Sequence, residues 1–584
     1  AAAEMRERIS DALLDRIASG HGSQEHLRRQ LHLLGNASIS TIHAFCGDVL
    51  RRYFHVLELD PHFRVGDENE ARLIKDESLE ELLEKEYEAA HPLFHALVEM
   101  FSSNKNDQGL ADIIKILHGF IHSLPRPWEW LEDQVRAFAL SFEDFVAGSW
   151  MCELSRQLKE PVDGIRSLLT TALALAEGDR ALKGYQATLE MDLANLLCLE
   201  EAMEKGLPAF FQALNSIEIP RLGRAGRDAD PATREQVKAL RDQGKSRLVK
   251  LKKIGEIRTI KDWHADLNIL HPYMEYLHTL VRSFEAMYSA RKRSKNLLDF
   301  NDLEHFCLQT LHNPAVAREL RQKYRYIFVD EYQDSNLVQE EIIQAICNED
   351  NLFLVGDVKQ SIYRFRLADP TLFLQKYHEY ANEQESPRHH RIDLSRNYRS
   401  TPIILESINT VFRCIMSEPL GELDYNADAF LHPGADYPPQ EWCEEAAVEA
   451  LILEKISDNN APDDWEELER AEIEARAVAG RIRDLIGQPY YDSRAQLVKP
   501  LQYKDIVVLL RATRSWGPVM WQTLNEQGIP AFADMNTGYF EAIEVQVVLN
   551  LLRLIDNRRQ DIALLSVMRS PIGGFSMEEL ALIR

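Results

Sequence analysis

The sequence predicts an α/β fold whose parallel sheets are interrupted by a long helical insertion, and three observations carry that prediction. Tyr326-Ile327-Phe328-Val329 has the length and the β-branched and aromatic content of a fully buried parallel strand, and it ends abruptly in Asp330-Glu331-Tyr332-Gln333-Asp334. A second apolar run, Leu352-Phe353-Leu354-Val355, leads into Gly356-Asp357-Val358-Lys359-Gln360-Ser361-Ile362-Tyr363-Arg364-Phe365-Arg366. A third, Ile392-Asp393-Leu394, leads into Ser395-Arg396-Asn397-Tyr398-Arg399-Ser400. Before these runs lies a stretch of more than two hundred residues in which apolar positions recur at helical spacing with little strand signal.

In chain order, residues 1–64 read as the start of a first α/β domain and residues 65–295 as the helical insertion. Loops are predicted at Leu124-Pro125-Arg126-Pro127 and Arg224-Ala225-Gly226-Arg227. Residues 296–400 resume the first α/β domain. A second α/β domain over 401–540 is read from three candidate strands, Ala450-Leu451-Ile452-Leu453, Ile506-Val507-Val508-Leu509-Leu510 and Pro530-Ala531-Phe532-Ala533, with helices from Glu472 and Trp516 between them. Trp516 and Trp521 on the second helix read as packing residues. From 541 to 584 the pattern turns helical and starts a further domain; Ser576-Met577-Glu578-Glu579 is a capping box. A length of 584 residues accommodates about four domains.

No run of about 18 apolar residues exists, so no membrane span is expected. Seven cysteines, at 46, 152, 198, 307, 347, 414 and 443, form no C-x-x-C pair, which excludes an encoded zinc or iron–sulfur motif of that type and fits reduced cytoplasmic thiols. A net charge of −26 argues against nucleic-acid binding by the average field of the chain, so any such contact must come from local patches. One candidate is the basic island from Arg221 to Lys261, net +8, which includes Lys250, Lys252 and Lys253. It reads either as a solvated helical hairpin or as an arm that touches phosphates without reading sequence. Residues 441–475 are the opposite, net −11, and Asn459-Asn460-Ala461-Pro462-Asp463-Asp464 within them reads as a surface loop. Gly244-Lys245-Ser246 mimics the end of a phosphate-binding loop, but Ala239 stands where that fingerprint needs glycine and its flanks are helix-like, so it reads as a decoy.

In open α/β sheets, ligands sit beyond the carboxyl ends of the strands. A bare acidic pair there would read as a solvated loop, yet two adjacent carboxylates also suit phosphoryl transfer, one holding Mg²⁺ through water and the other polarising the attacking water. Three strands ending in polar clusters bring acids, a glutamine, arginines and exposed aromatics to one sheet edge.

D-E-Y-Q-D, G-D-V-K-Q-S-I-Y-R-F-R and S-R-N-Y-R-S resemble motifs II, III and IV of the UvrD/Rep-type superfamily 1 DNA helicases, in the family's order and spacing. Ser40-Thr41-Ile42-His43-Ala44-Phe45-Cys46 resembles its early DNA-contacting motif, and Leu298-Asp299-Phe300-Asn301-Asp302-Leu303 its D-F-x-D-L element. Gly538-Tyr539-Phe540-Glu541-Ala542, Leu552 to Asn557 and Arg569-Ser570-Pro571-Ile572 are similar to the A subunits of bacterial ATP-dependent helicase/nucleases.

The resemblance implies two RecA-like parallel-sheet motor domains of the P-loop NTPase helicase fold, with large helical insertions, using ATP and Mg²⁺. By motif, Asp330 holds Mg²⁺ and Glu331 orients or deprotonates the hydrolytic water. Gln333 and Asp334 couple nucleotide state to neighbouring motifs, Gln360 senses the γ-phosphate, Arg399 binds it, and Tyr398 stacks on adenine. Thr41, His43, Tyr363, Phe365 and Arg366 fall on DNA-contacting positions; the family more often has Trp where Phe365 stands.

It further implies 3′ to 5′ movement on single-stranded DNA, entry on double-stranded ends, a second (B-type) helicase/nuclease subunit as partner, and a role in recombinational repair in the bacterial cytoplasm. The alternatives are a UvrD-type repair helicase without a nuclease and a non-catalytic helicase-like DNA-binding scaffold; a scaffold has no need of Glu331 or Arg399. The chain opens on Ala1-Ala2-Ala3-Glu4-Met5 without an initiator methionine. It is therefore expected to be an internal fragment without the Walker A loop, motifs V and VI or the nuclease domain, and inactive as an ATPase by itself.

Overall fold

The computed structural model describes residues 2–20, 22–102, 107–257, 259–380, 389–435, 437, 448–453, 463–492, 496–533 and 542–583. The chain divides into two compact units, residues 1–391 and 392–584. The division falls before Asn397-Tyr398-Arg399, so that segment, assigned from sequence to the end of the first α/β domain, belongs to the second unit. No helix among the described residues is long and apolar enough to cross a membrane.

Two parallel strand pairs organise the first unit. β1 (Arg64–Val65) pairs with β2 (Leu297–Leu298), so the chain leaves for the helical insertion and returns on adjacent strands. β3 (Ile327–Val329) pairs with β4 (Leu352–Leu354) in the register Ile327↔Leu352, which sets Asp330 and Val355 side by side at the carboxyl edge. The insertion is helical, as its spacing predicts, and is built on two cores. One gathers Leu82, Phe94, Ile114, Phe284 and Tyr288; the other gathers Leu158, Ile165, Leu196, Phe210 and Leu248. A third core, with Cys46, Leu50, Leu308, Val338 and Ile342, joins helix Ile42–Tyr53 to helices Phe300–Leu311 and Leu337–Ile346 beneath the sheet. Gly244-Lys245-Ser246 lies inside helix Pro231–Ile257, with Gly244 packed towards Ile165 and Leu169. It is mid-helix backbone and cradles no phosphate.

The strands depart from expectation in three ways. β3 and β4 are parallel but not fully buried: Ile327 packs on the third core, whereas Phe328 is 72% exposed and meets Phe353 across the pair at 5.8 Å. Alternate side chains of a strand point to opposite faces, and among the described residues only one face of this pair is covered. Ile392-Asp393-Leu394 forms no strand; β5 (Arg396–Asn397) takes its place and pairs in parallel with β6 (His432–Pro433).

In the second unit, 450–453, 506–510 and 530–533 are not strands either. Ile506, Leu510 and Ala531 pack on the core of Ala475, Ala479, Met520 and Leu524, while Val507 and Leu509 face solvent. Residues 506–510 thus show the alternation of a strand without a ladder partner. The strands that do form there, β7 (Pro489–Asp492) and β8 (Leu497–Pro500), make an antiparallel hairpin.

Both expected helices are present, as Asp463–Leu485 and Thr513–Glu526. The expected loop at 459–464 is replaced by helix from Asp463 onward; its earlier part, much of the acidic stretch, and Gly538 to Glu541 lie outside the described residues. The capping box at Ser576 is formed, with Glu579 N–H donating to Ser576 Oγ at 3.2 Å and Ser576 N–H to Glu579 Oε2 at 2.8 Å.

Helix Ile260–Ser294 ties the insertion to the sheet. Its apolar face, Leu277, Leu280, Val281, Phe284 and Tyr288, fills the core of the insertion, and its last turn delivers Lys292 into a buried polar cluster. The Lys292 ammonium lies 3.0 Å from Asp299 Oδ2 and 2.6 Å from Asp302 Oδ2, and the Tyr288 hydroxyl donates to Asp299 Oδ2 at 2.7 Å. Asp299 and Asp302 also form the capping box of helix Phe300–Leu311. Burial opposes the charge on Asp299, but the ammonium and the Tyr288 hydroxyl bring its carboxyl down to about 2. Burial and then the charge of Asp299 push Asp302 up to about 6.

Lys292→Met keeps most of the volume but leaves two carboxyls without their cation, a change that costs about 3–5 kcal/mol. Both carboxyl pKa values then rise above their unfolded values, so stability is lost as pH rises through them. Thermal denaturation should show a larger deficit at pH 8 than at pH 5, and an equal or smaller deficit at pH 8 would contradict this assignment.

Candidate functional site

The carboxyl edge of β3 is shaped by the turn that leaves it. Tyr332 is completely buried; its N–H donates to Val355 O at 2.9 Å and its hydroxyl to Glu340 Oε2 at 2.6 Å, where Lys376 also binds at 2.7 Å. To bring Tyr332 inward immediately after an extended strand, Glu331 takes a left-handed conformation, φ +52° and ψ 41°, which leaves Asp330 and Glu331 both exposed. A non-glycine residue in this region stores roughly 1–3 kcal/mol and marks functional sites more often than chance.

Gln333 is the bridge. It is 1% exposed, donates from Nε2 to Glu331 Oε2 at 2.7 Å, and accepts the Asp357 N–H at Oε1 at 2.9 Å. Asp357 in turn accepts Gln360 Nε2 at 3.0 Å and pairs with Lys359 at 2.9 Å. A continuous path, Glu331–Gln333–Asp357–Gln360, therefore links the ends of β3 and β4. Gly356 is needed for it: a Cβ there would lie 2.5 Å from Gln333 Oε1 and 3.0 Å from the Phe373 ring. Burial, then the charge of Glu331, raises the Asp334 carboxyl. Asp334 Oδ1 and Ser361 Oγ are buried without hydrogen-bond partners among the described residues.

Of the positions singled out from sequence, Asp330, Glu331, Gln333 and Gln360 are thus brought together. Tyr398 and Arg399 stand in the second unit. Tyr398 is exposed, with its ring against Gly434, where a Cβ would lie 2.9 Å from ring atoms. The Arg399 N–H donates to Asn397 Oδ1 at 2.9 Å, its carbonyl accepts the Tyr437 hydroxyl at 2.9 Å, and the residue is exposed.

The aromatic positions are not core residues. Phe365 is 75% exposed and Tyr363 is 37% exposed; their rings stand 5.9 Å apart at 42°, and the Arg366 guanidinium lies 5.0 and 5.6 Å from them. Two open π-faces beside a cation suit a stacked base.

Thr41 caps helix Ile42–Tyr53 by accepting the Ala44 N–H at 3.3 Å. His43 is held at 3.0 Å by Glu304, which is buried and also accepts Asn336 at 3.1 Å and Gln339 at 2.7 Å. Burial opposes the Glu304 charge, but those three partners outweigh it and hold the carboxyl below its usual range. His43 therefore has a visible structural task.

On the basic island, Lys250 and Lys253 are exposed, but the Lys252 ammonium turns inward to the Ile217 carbonyl. Arg241 is buried against Asp192 at 2.6 Å and donates to Pro220 O at 2.8 Å. Part of the island is therefore packing.

Sequence reasoning missed the linking role of Asp357 and the clearance supplied by Gly356. Both sit in the G-D pair after the second strand, and that pair was the available signal.

Residues 1–381 match the model of the UvrD/REP helicase N-terminal domain and residues 392–584 that of the UvrD-like helicase C-terminal domain. Among curated relatives, the chain is similar to the A subunit of the ATP-dependent helicase/nuclease of Alkaliphilus metalliredigens, at 44% identity over 595 residues covering 100% of the chain and 48% of the relative. The protein of the same name from Alkaliphilus oremlandii is 45% identical over 586 residues, 100% of the chain and 48% of the relative. That from Syntrophomonas wolfei is 45% identical over 620 residues, 100% of the chain and 50% of the relative. The chain spans about half the length of these curated relatives. With both family models matched in order over nearly all of its residues and the motif side chains gathered at the ends of β3 and β4, the chain belongs to the UvrD/REP helicase family.

Proposed function

We propose that the chain carries the ATP-hydrolysing motor of a DNA helicase that moves 3′ to 5′ on single-stranded DNA. The name its relatives share extends this to the A subunit of a cytoplasmic helicase/nuclease, which works beside a second subunit on double-strand breaks. The observation that carries the reading is the path Glu331–Gln333–Asp357–Gln360, which couples a candidate base for water to a candidate sensor of the γ-phosphate.

Asp330 fits a hydrated Mg²⁺. It is exposed at a strand end, and its Oδ1 accepts a backbone N–H, from Glu331 at 3.1 Å. Bound ATP supplies the phosphoryl group and Mg²⁺ neutralises its charge. Glu331 orients the water, its carboxylate fixed by Gln333. Gln360 reads the phosphate and passes its state through Asp357 to the segment bearing Tyr363 and Phe365. Tyr398 stacks on adenine and Arg399 holds the γ-phosphate, as their motif implies. Tyr363 and Phe365 offer roughly 1–3 kcal/mol per stacked base without regard to its identity, which suits a motor.

Glu331→Gln, in the protein as its gene encodes it, should leave nucleotide and DNA binding nearly intact and remove most DNA-stimulated turnover, because the carboxamide oxygen can still accept from Gln333. Steady-state ATPase measures this; turnover within about threefold of wild type, set against the 10²–10⁴-fold typical of a lost general base, would sink the role of Glu331. Arg399→Ala should instead weaken nucleotide binding and turnover together, by roughly 1.5–3 kcal/mol for a charged hydrogen bond.

On the basic helix, reversing Lys250 and Lys253 to Glu, with Lys252 left in place, should weaken DNA binding equally for all sequences. The slope of log affinity against log salt should become shallower by roughly 0.7 for each phosphate no longer neutralised on single strands. If affinity and slope are both unchanged, the two lysines are only a solvated face.

A further inference from the structure

We propose that His118, His122 and Glu285 form a structural zinc site inside the helical insertion, remote in sequence from every motif of the motor. His118 lies in the last turn of helix Gln108–Ile121 and His122 caps that helix, so the two rings share one face a turn apart, with centroids 4.4 Å apart. Glu285 faces them from helix Ile260–Ser294. One ligand atom from each of the three falls within 4.8 Å of the others, and among the described residues no second group of three or more His, Cys, Asp or Glu has this property.

The geometry is that of a cluster with room for a cation. Glu285 Oε2 lies 2.6 Å from His118 Nε2 and 3.6 Å from His122 Nε2. Ligand atoms around a tetrahedral zinc, each about 2.0 Å from the metal, stand roughly 3.3 Å apart, a value these two separations bracket. A small rotation of the carboxylate away from His118 equalises them.

As the cluster stands, it is incompletely satisfied. His118 is 2% exposed, yet its Nδ1 has no hydrogen-bond partner among the described residues, and His122 Nε2 is likewise buried and unpartnered. Buried polar atoms normally find a partner, and an exception calls for an explanation such as an ion. The outer shell is in place as well. The Ser289 hydroxyl donates to Glu285 Oε1 and so orients the carboxylate, and His305 Nε2 lies 2.9 Å from the His122 carbonyl, fixing the backbone at that ligand. Two imidazoles and one carboxylate favour zinc over magnesium or calcium, which prefer all-oxygen sets. With three protein ligands, and with His122 at the partly accessible side, the fourth position falls to water.

The zinc would clamp helix Gln108–Ile121 to the long helix one turn before Tyr288 and two before Lys292, and so stiffen the joint between insertion and sheet. The test uses the whole chain, stripped with a chelator, dialysed, and titrated with Zn²⁺ alone and then Co²⁺ alone. The expected result is one Zn²⁺ per chain, a visible Co²⁺ spectrum of nitrogen and oxygen ligation, and a melting temperature that falls on chelation. His122→Gln and Glu285→Gln should each weaken Zn²⁺ binding by at least about tenfold, the lower end of what losing even an outer partner costs. They should also abolish the effect of chelation on melting. No stoichiometric Zn²⁺, or uptake unchanged in His122→Gln, overturns the proposal. Should a variant fail to fold, the wild-type Co²⁺ spectrum decides: a thiolate charge-transfer band places the metal on cysteines and overturns it too.

Discussion

The buried ammonium of Lys292 is the constraint from which the rest of the first unit is positioned. A lysine 4% exposed is tolerable only when paired, and its pairing with Asp299 and Asp302 fixes the start of helix Phe300–Leu311 against the end of the long insertion helix. From there the order propagates through one more buried charge. Glu304, a turn further along the same helix, collects His43, Asn336 and Gln339. Asn336 is itself the N-cap of helix Leu337–Ile346, accepting the Gln339 N–H at 2.8 Å. That cap stands two residues beyond Asp334, so two internal charges set where the acidic turn after β3 begins and ends. The insertion is therefore part of what positions the acidic turn.

Within that turn the left-handed Glu331 is strained, and the strain persists because its surroundings over-determine it. Tyr332 is anchored by its backbone, by Glu340 and by Lys376, whose ammonium also lies 5.9 Å from the Tyr332 ring centre. Gln333 is anchored at both ends of its amide. Between two such anchors Glu331 has no lower-energy way to keep its carboxylate outward and in reach of Gln333. A buried amide spanning two strands is also a good relay, since any shift of the Asp357 backbone must break or drag the bond to Glu331.

Much of this was legible in the sequence, for identifiable reasons. Asp330, Glu331, Gln333 and Gln360 were found because they lie at fixed offsets from apolar strands, and strand ends are where α/β sheets expose side chains. Gly244-Lys245-Ser246 was correctly set aside because its flanks carry helical spacing. The illegible part depends on tertiary pairing. Asp357 acquires its linking role only from the register of β3 against β4, and Gly356 its necessity only from the closeness of Gln333. Strand burial failed as an inference because Phe328 and Phe353 have apolar character on both faces while the described residues cover one. Residues 506–510 alternate as a strand should, yet a ladder needs a partner that no local pattern encodes. Lys252 and Arg241 show the same limit for charge: composition counts them in the basic island, and packing turns them inward.

The island and the aromatic pair also explain how a chain of net charge −26 could engage a polyanion. At physiological ionic strength, charges more than about 8 Å from a phosphate are largely screened, so the acidic surplus elsewhere hardly opposes a local contact. The deciding quantity is the sign of the few exposed groups within that distance. Lys250 and Lys253 on one helix, and Arg366 between two open rings, are cations of this kind, while buried acids such as Glu304 and Asp299 are already neutralised by their partners. None of these groups is arranged as a donor–acceptor pattern that would read a base edge. Stacking faces and unpatterned positive charge give binding that tolerates every sequence, and the acidic remainder limits non-specific adhesion elsewhere on the surface. The charge distribution therefore favours a moving contact over a fixed one.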